Sequence, residues 1–334
     1  MPPTLHNLTA IRPNRNRVPG GVRRTQPATS LARVINEGIT AAAAGTWKLG
    51  GQTIHRMGFG SMRLTVNPDP AVAVRVLRRA VELGVDHIDT AAFYRSPGGI
   101  LAGQPGDQAR YATELIRAAL WPYPKGLLIA TKVGPGVSPT GEWESAVTPA
   151  QLRRQVEENL RRLRVDRLDL VNLRIVKRPG HDSVAERFAA LAAMRDEGLI
   201  RHLGLSNVRL DHVLEATAIA PVACVQNSYA IDIRRDDDLV QACFDRGIAF
   251  VPFFAIAGPG REDGAGENHD EAVRKVAADH GVTPHQVRLA WTLHQGRNVL
   301  AIPGTGSVAH LEDNIAAGAL RLGRADLARL SPQQ

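Results

Sequence analysis

The chain has 334 residues, is 44% hydrophobic and carries a formal net charge of +8, with only two cysteines. Two cysteines exclude a disulfide framework and favour a reducing compartment, so we expect a cytoplasmic protein. Because no run of about 18 apolar residues occurs, we expect no membrane span and no membrane partner.

Much of the positive charge lies at the N-terminus. Residues 1–46 hold six arginines against a single acidic residue, Glu37. We interpret them as a basic, disordered extension that precedes a domain of residues 47–334, although a basic segment of this kind can also contact a polyanion. The rest of the chain has neither a basic stripe nor aromatic residues beside one, so we expect no nucleic-acid partner.

The pair Arg23-Arg24 invites comparison with a twin-arginine export signal. Arg33, Asn36 and Glu37 interrupt the apolar stretch that such a signal requires, so we do not expect export. A start codon assigned too far upstream is an alternative explanation of this segment.

From Trp47 onwards, short apolar runs alternate with amphipathic segments. The stretch WKLGGQTIHRMGFG predicts a β-hairpin that turns at Gly50-Gly51 and leads into a first strand near Met57. Each later run precedes a segment with helical spacing of its apolar residues, such as 69–84, which ends at Gly84. The further predicted strands are VDHIDT, LLIATK, LDLVNLR, HLGLSN, ACVQNS, IAFVPFF and VLAIPG, and the last predicted helix is SVAHLEDNIAAG.

This alternation of strands and helices indicates an α/β protein with a parallel sheet. Eight strand–helix units in about 280 residues favour a (β/α)8 TIM barrel with an N-terminal β-hairpin over an open, doubly wound sheet. No G-x-G-x-x-G motif follows the first strand, which argues against a Rossmann domain. The functional residues of such a barrel lie at the C-terminal ends of its strands.

Polar residues stand at several of these strand ends. Asp89 ends the second strand, Tyr94 follows five residues later, and Lys132 ends the third strand. Lys132 is one of five lysines against 36 arginines, and Asp89 would balance its charge. Since an ammonium stabilises a neighbouring phenolate, Tyr94 could donate a proton and take it back in the reverse direction. Residues such as Ser206 and Asn207 could instead only cap the helices that follow them.

Five separated motifs, HIDTAAFY, LLIATKVG, LIRHLGLSN, ACVQNSYAI and LAIPGTGSVAHLEDNI, resemble those of the aldo-keto reductases in order and spacing, from about Leu49 to Leu322. The resemblance implies a (β/α)8 barrel that binds NADPH without a Rossmann domain. It also implies hydride transfer to a carbonyl group, with a tyrosine as the proton donor. Asp89, Tyr94 and Lys132 match three of the four members of the family's catalytic tetrad.

The fourth member of that tetrad is usually a histidine, and Arg174 stands in its place in the motif DLVNLR. A guanidinium also donates hydrogen bonds, never loses its proton, and can stabilise a forming alkoxide by about 3 kcal/mol. Two cations beside Tyr94 would make its phenolate too stable unless Asp89 or an anionic substrate balances them. Alternatively, Arg174 turns aside to a carboxylate in a loop. We predict Asp89, Tyr94, Lys132 and Arg174 as catalytic residues and expect no metal.

The resemblance also implies the residues that contact the cofactor. Residues 206, 207 and 226 match positions that hold the nicotinamide carboxamide, and Phe253 matches the aromatic residue that stacks on the ring. Many relatives hold the 2′-phosphate with a lysine and an arginine, where this chain has Gly304 and His310. We therefore expect NADPH without excluding NADH. The predicted cofactor-binding residues are Gly60, Ser61, Ser206, Asn207, Gln226, Phe253, Thr305, Ser307, His310 and Asn314.

The motif V-N-L-R at 171–174 resembles a branch of the family that includes pyridoxal reductases. We therefore expect a small-molecule carbonyl substrate, such as a pyridoxal-like or other aromatic aldehyde, or a ketone of secondary metabolism. The Gly-rich loop after Tyr94 predicts a substrate pocket or lid, and a second Gly-rich stretch follows the seventh strand. A nucleotide-binding, redox-sensing subunit with little turnover is the alternative. The sequence leaves the oligomeric state open.

Overall fold

The computed structural model describes residues 38–97, 108–137, 143–176, 182–256 and 269–331. Its strands are β1 Thr46–Leu49, β2 Gln52–His55, β3 Phe59–Gly60, β4 His87–Asp89, β5 Arg95–Ser96, β6 Arg110–Tyr111, β7 Leu128–Val133, β8 Pro135–Val137, β9 Trp143–Ser145, β10 Leu168–Arg174, β11 Ile200–Ser206, β12 Val222–Gln226 and β13 Ala249–Phe250. Its α-helices are α1 Pro70–Glu82, α2 Ala112–Leu120, α3 Pro149–Leu163, α4 Ala185–Asp196, α5 Leu210–Ile219, α6 Asp237–Asp245, α7 Glu271–His280, α8 Pro284–His294, α9 Val308–Ala316 and α10 Arg324–Leu330.

Seven of the strands form one parallel sheet in the order β3-β4-β7-β10-β11-β12-β13. An eighth segment, residues 299–301, joins the two edges of this sheet. Parallel bridges link Phe250 to Val299 and Met57 to Ala301, and Leu300 donates a 2.8 Å hydrogen bond to the carbonyl of Phe250. The sheet therefore closes into a barrel, which confirms the predicted α/β fold of (β/α)8 type.

Two apolar clusters hold this barrel together. The inner cluster includes Leu170, Cys224, Ala249 and Leu300, whose side chains alternate with outward-facing residues along the strands. The outer and larger cluster lies between the sheet and the surrounding helices. The predicted hairpin β1–β2 also forms, and Leu49 with Ile54 belongs to the inner cluster.

Local sequence signals fix the starts of several helices. Asp69 accepts a hydrogen bond from the backbone of Ala71 at the start of α1. Thr148 begins α3 in a capping box with Gln151, and Thr283 begins α8 in the same way. Each of these three helices has proline at its first position, where the missing N–H costs least.

The structure differs from the predicted elements in three places. Helix α7 was not predicted, because the later segment TPHQVRLAWTLHQG was expected to supply the helix after the seventh strand. Helix α10 follows α9, so SVAHLEDNIAAG is not the last helix. The segment VLAIPG contributes isolated bridges rather than a regular strand.

Residues that precede Trp47, the predicted start of the domain, also pack against the outer cluster. A 3₁₀ helix at Ala41–Ala44 buries Ala41 and Ala44 in the outer cluster. The predicted disorder of the basic extension concerns residues mostly outside the described ones, as do the Gly-rich parts of both predicted loops, and these stay predictions. None of the helices in the described ranges is long and apolar enough to cross a bilayer.

Candidate active site

A buried ion pair lies at the C-terminal ends of β4 and β7. The Nζ of Lys132 lies 2.6 Å from Oδ2 and 2.7 Å from Oδ1 of Asp89, and it also donates to the carbonyl of Thr90 at 3.0 Å. Only 2% of Lys132 and 4% of Asp89 are exposed. Burial lowers the pKa of Lys132, but Asp89 and Tyr94 outweigh it and raise that pKa above its ordinary value. Lys132 is therefore a fixed cation at neutral pH.

Tyr94 lies directly beside this pair. The Nζ of Lys132 is 4.7 Å from the centroid of the Tyr94 ring. The ring is held by an edge-on contact with Phe93, at 5.2 Å between centroids, and the Tyr94 carbonyl accepts from the backbone of Ala112. Tyr94 is half-buried, so its hydroxyl can meet a ligand at the mouth of the barrel. The structure thus brings Asp89, Tyr94 and Lys132 together.

Gln226 is a third partner of the ion pair that the sequence did not reveal in this role. Its Nε2 donates to Asp89 Oδ1 at 2.8 Å from the end of β12. Its Oε1 is buried and has no hydrogen-bond partner among the described residues. The two residues are 137 positions apart, and only barrel closure brings them into contact. The arrangement holds the carboxylate of Asp89 and leaves one amide oxygen for a ligand.

Arg174 lies at the rim, and no carboxylate of the described residues contacts it. Its Nη1 donates to Ser206 Oγ at 3.0 Å, and its guanidinium carbon lies 4.9 Å from the centroid of the Phe253 ring. No carboxylate forms an ion pair with it in the described part of the chain, so the alternative of a loop carboxylate is not seen there. Gly134 has a φ of 116°, and a Cβ added to it would lie 2.2 Å from the carbonyl oxygen of Arg174. Glycine at this position therefore lets the two backbone segments lie close together.

The predicted cofactor residues fall into two groups. Ser206, Gln226 and Phe253 lie on or just after three neighbouring strands and line one side of the mouth. Asn207 lies beside them in a left-handed conformation, but its Nδ2 donates to the carbonyl of Ile175 and so supports the loop.

The second group lies where the barrel closes. A Cβ at Gly304 would meet the Gly60 carbonyl at 2.4 Å, so the two glycines allow a close backbone approach. Next to them, the hydroxyl of Ser61 is buried without a hydrogen-bond partner among the described residues.

The start of α9 continues this second group. Ser307 caps the helix by accepting from the backbone of His310 at 3.4 Å, and Thr305 Oγ1 accepts from the backbone of Ser307 at 3.1 Å. The side chain of His310 is exposed, whereas Thr305 and Asn314 are buried. The helix start is suited to an anionic group, because backbone N–H groups and the helix dipole favour negative charge there.

Asn172 is a further polar residue close to the ion pair. It is 1% exposed and pairs in register with Lys132 across β10 and β7. Its Oδ1 accepts from the thiol of Cys224 at 3.2 Å, and its Nδ2 has no partner among the described residues. The alternation of β10 places Asn172 on the same face of the strand as Leu170 and Arg174. No group of three potential metal ligands occurs in the described ranges.

Comparisons with known proteins agree with this geometry. Residues 56–332 match the model of the Aldo/keto reductase family. Pyridoxine 4-dehydrogenase of Escherichia coli (strain K12) is 40% identical over 298 residues, which cover 86% of this chain and 98% of that protein. An uncharacterised oxidoreductase of Schizosaccharomyces pombe is 35% identical over 303 residues, covering 88% and 92%.

A solved structure with a similar fold is that of an aldo-keto reductase from Klebsiella pneumoniae in complex with NADPH. It aligns with a TM-score of 0.69 at 26% identity and covers 86% of this chain and 96% of that one. The family match spans most of the chain and includes every strand of the barrel from β3 onwards. The chain therefore belongs to the Aldo/keto reductase family and is an oxidoreductase.

Proposed function

We propose that the chain is an NADPH-dependent carbonyl reductase in which Tyr94 donates the proton. The observation that carries this proposal is the buried pair of Lys132 and Asp89 with the Tyr94 ring 4.7 Å from the ammonium. Family membership supports carbonyl reduction in general, and the Klebsiella relative crystallised with NADPH supports that cofactor. Two free, buried cysteines, Cys224 and Cys243, support a reducing compartment such as the cytoplasm.

The residues at the mouth fit a nicotinamide group. A primary carboxamide needs an acceptor for its N–H groups and a donor for its oxygen. The buried Oε1 of Gln226 and the hydroxyl of Ser206 offer these, and the Phe253 ring offers an apolar face for stacking. The start of α9, with Ser307 and Thr305, would take a phosphate. When bound, NADPH supplies the hydride that reaches the carbonyl carbon.

The protein's own residues then handle the proton and the charge. The Tyr94 hydroxyl donates to the carbonyl oxygen as negative charge develops there. The Lys132 ammonium stabilises the phenolate that remains, since neighbouring opposite charges attract strongly in a buried site. Asp89 keeps the ammonium in position, and Gln226 keeps Asp89 in position. In the reverse direction the phenolate takes the proton back.

An aromatic aldehyde such as pyridoxal is the proposed substrate class. Support comes from the relative named pyridoxine 4-dehydrogenase, at 40% identity, and from Arg174 at the rim. A phenolate oxygen beside an aldehyde would suit a guanidinium, which donates two parallel hydrogen bonds.

The test follows NADPH absorbance with pyridoxal and a panel of small aldehydes, for the wild type, Tyr94→Phe and Tyr123→Phe. Tyr123 donates to the carbonyl of Leu163 and controls for the loss of a phenol elsewhere. We expect Tyr94→Phe to lower kcat by about 10² to 10⁴ while the control retains activity. Tight NADPH binding with no turnover of any aldehyde would instead favour a nucleotide-binding subunit.

A further inference from the structure

Within the described ranges, the guanidinium of Arg174 contacts two residues that the proposed function assigns to the cofactor. Its Nη1 donates to Ser206 Oγ at 3.0 Å, and its guanidinium carbon lies 4.9 Å from the centroid of the Phe253 ring. That distance is within the range of a cation–π contact. Among the described residues, the hydroxyl of Ser206 makes its hydrogen bond with Arg174.

A planar ligand and this guanidinium compete for the same contacts. A ring that stacks on the Arg174 side of Phe253 needs the space that the guanidinium covers, because both groups are flat and stack at van der Waals distance. Ser206 only accepts from Arg174, so its O–H remains able to donate to a carboxamide, and the competition concerns the ring face of Phe253. Arg174 must therefore move before a ligand ring can stack on this face of Phe253.

The charges at the mouth indicate which ligand group would stabilise the displaced guanidinium most. Asp89 neutralises Lys132 at 2.6 Å, whereas Arg174 has no ion-pair partner in the parts of the chain that the structure describes. Among the described residues, the positive charge of Arg174 thus has no balancing carboxylate. When the guanidinium moves, it loses its contacts with Ser206 and Phe253. A negatively charged oxygen on the second ligand is the hydrogen-bond partner that replaces them.

We propose that Arg174 occupies part of the nicotinamide position in the cofactor-free protein and that cofactor binding turns it towards the substrate. There it selects aldehydes that carry an anionic oxygen, a phenolate or a carboxylate, near the carbonyl group. This inference rests on the proposed function. It makes binding of the two ligands cooperative. Displacing Arg174 costs the cofactor less binding free energy when an anionic substrate then bonds to the guanidinium, and this coupling is reciprocal.

The first test is NADPH binding without turnover. Binding is titrated by calorimetry for the wild type, Arg174→Met and the control Arg75→Met, which removes an exposed arginine of α1. We expect the Kd of NADPH to fall about threefold to tenfold in Arg174→Met, because one hydrogen bond and one cation–π contact no longer have to be broken. Arg75→Met keeps the wild-type Kd. Circular dichroism checks the folding of each variant, and Arg174→His replaces Arg174→Met if the latter does not fold.

Equal or weaker NADPH binding by the Arg174 variants would overturn the displacement. If the wild type itself does not bind NADPH, the proposed function fails together with the inference. Tighter binding by the variants, with an unchanged control, supports displacement independently of which substrate is turned over.

The second test addresses the anionic oxygen. Benzoate and its neutral isostere benzamide are titrated into protein saturated with NADP⁺. We expect the wild type to bind benzoate at least about tenfold more tightly than benzamide and Arg174→Met to lose most of that preference. We also expect benzoate to tighten NADP⁺ binding in the wild type by the same factor as NADP⁺ tightens benzoate binding. No preference in the wild type, or a preference that survives in Arg174→Met, would overturn the selection of anionic substrates.

Discussion

The ammonium of Lys132 lies 2.6 Å and 2.7 Å from the two carboxylate oxygens of Asp89, and both side chains are almost fully buried. Burying either charge alone would cost several kcal/mol, so each residue depends on the other for its ionised form. The pair is a poor choice for stability, since apolar residues would fill the space at lower cost. Its position beside Tyr94 agrees with the proposed role in proton transfer.

Lys132→Met should therefore destabilise the protein strongly, by about 3 to 5 kcal/mol, because it leaves Asp89 buried and unpaired. The double variant Asp89→Asn/Lys132→Met should lose less, since no charge then remains to be buried and Gln226 keeps an acceptor. Urea unfolding, compared through midpoints and slopes, measures both.

The pH dependence provides the control for this pair. The pKa of Lys132 is raised, so its contribution is fully present below the ordinary lysine value of 10.5 and is lost only as pH rises through the higher folded value. The difference between the wild type and the double variant should thus stay constant from about pH 6 to pH 9. A double variant as unstable as Lys132→Met would show that packing, not charge, determines the loss.

Gly58 leads to a second prediction, on packing inside the barrel. A Cβ at this position would lie 2.2 Å from Nε2 of His87, whose ring is 2% exposed and cannot turn into solvent. Gly58→Ala should cost about 1 to 3 kcal/mol of unfolding free energy, as overpacking usually does. Adding His87→Ala removes the clash. The double variant should therefore lose at least about 1 kcal/mol less unfolding free energy than the two single variants lose in sum.

Gly306→Ala is the matched control, because no atom lies within 4 Å of a Cβ placed there. It should change the unfolding free energy by less than about 0.5 kcal/mol. Strict additivity of Gly58→Ala and His87→Ala would mean that the ring moves aside at no cost.

The sequence predicted the barrel because its signals are local. The strand LDLVNLR and the helix end at Gly84 each depend on a few neighbouring residues, and both predictions are confirmed. The same locality explains why Asp89 and Lys132 could be placed at strand ends.

Other features depend on contacts that no local pattern records. The hydrogen bond from Gln226 to Asp89 spans 137 positions, and the direction of the Arg174 side chain depends on Ser206 from the next strand. Helix α7 was missed although its residues have helical spacing, because a single helix was expected after the seventh strand. Segment VLAIPG, predicted as a strand, pairs with the two sheet edges through isolated bridges.

A third prediction concerns Arg56, which lies at the opposite end of the barrel from Lys132. Its guanidinium donates to the carbonyls of four residues, Val299 (3.1 Å), Ala44 (3.4 Å), Gly296 (2.6 Å) and Leu293. Burial, followed by Arg321 and Arg297, lowers the pKa of Arg56 to about 10, which leaves it charged at neutral pH.

Arg56→Met should lower the unfolding free energy by about 2 to 4 kcal/mol, because buried carbonyls at the end of α8 lose their donor. Arg56→Lys should recover only part of this loss, since an ammonium cannot reproduce the guanidinium fork. Urea unfolding is the measurement, and Arg75→Met is the control for removing an exposed arginine. A change in Arg56→Met no larger than in that control would contradict this role of Arg56.

The fourth prediction concerns the two thiols. Cys224 is 1% exposed and Cys243 is fully buried. Burial raises the pKa of the Cys224 thiol well above its ordinary value of 9.0 and raises that of Cys243 to about 12. Because the thiolate is the reactive form, a raised pKa and an inaccessible sulfur both slow alkylation. Iodoacetamide at pH 8 should thus leave the native protein unmodified while labelling two thiols per chain in urea.

The same shifts have a consequence for stability. The unfolded thiols lose their protons near pH 9 while the folded ones keep them, so their contribution is present below pH 9 and declines as pH rises above it. Cys243→Ala should weaken that decline and reduce the labelling in urea to one thiol. Mass spectrometry of the alkylated chain gives the count. Alkylation of the native protein at the rate seen in urea would mean that the helices around α6 open readily, and the burial described for Cys243 would then not hold in solution.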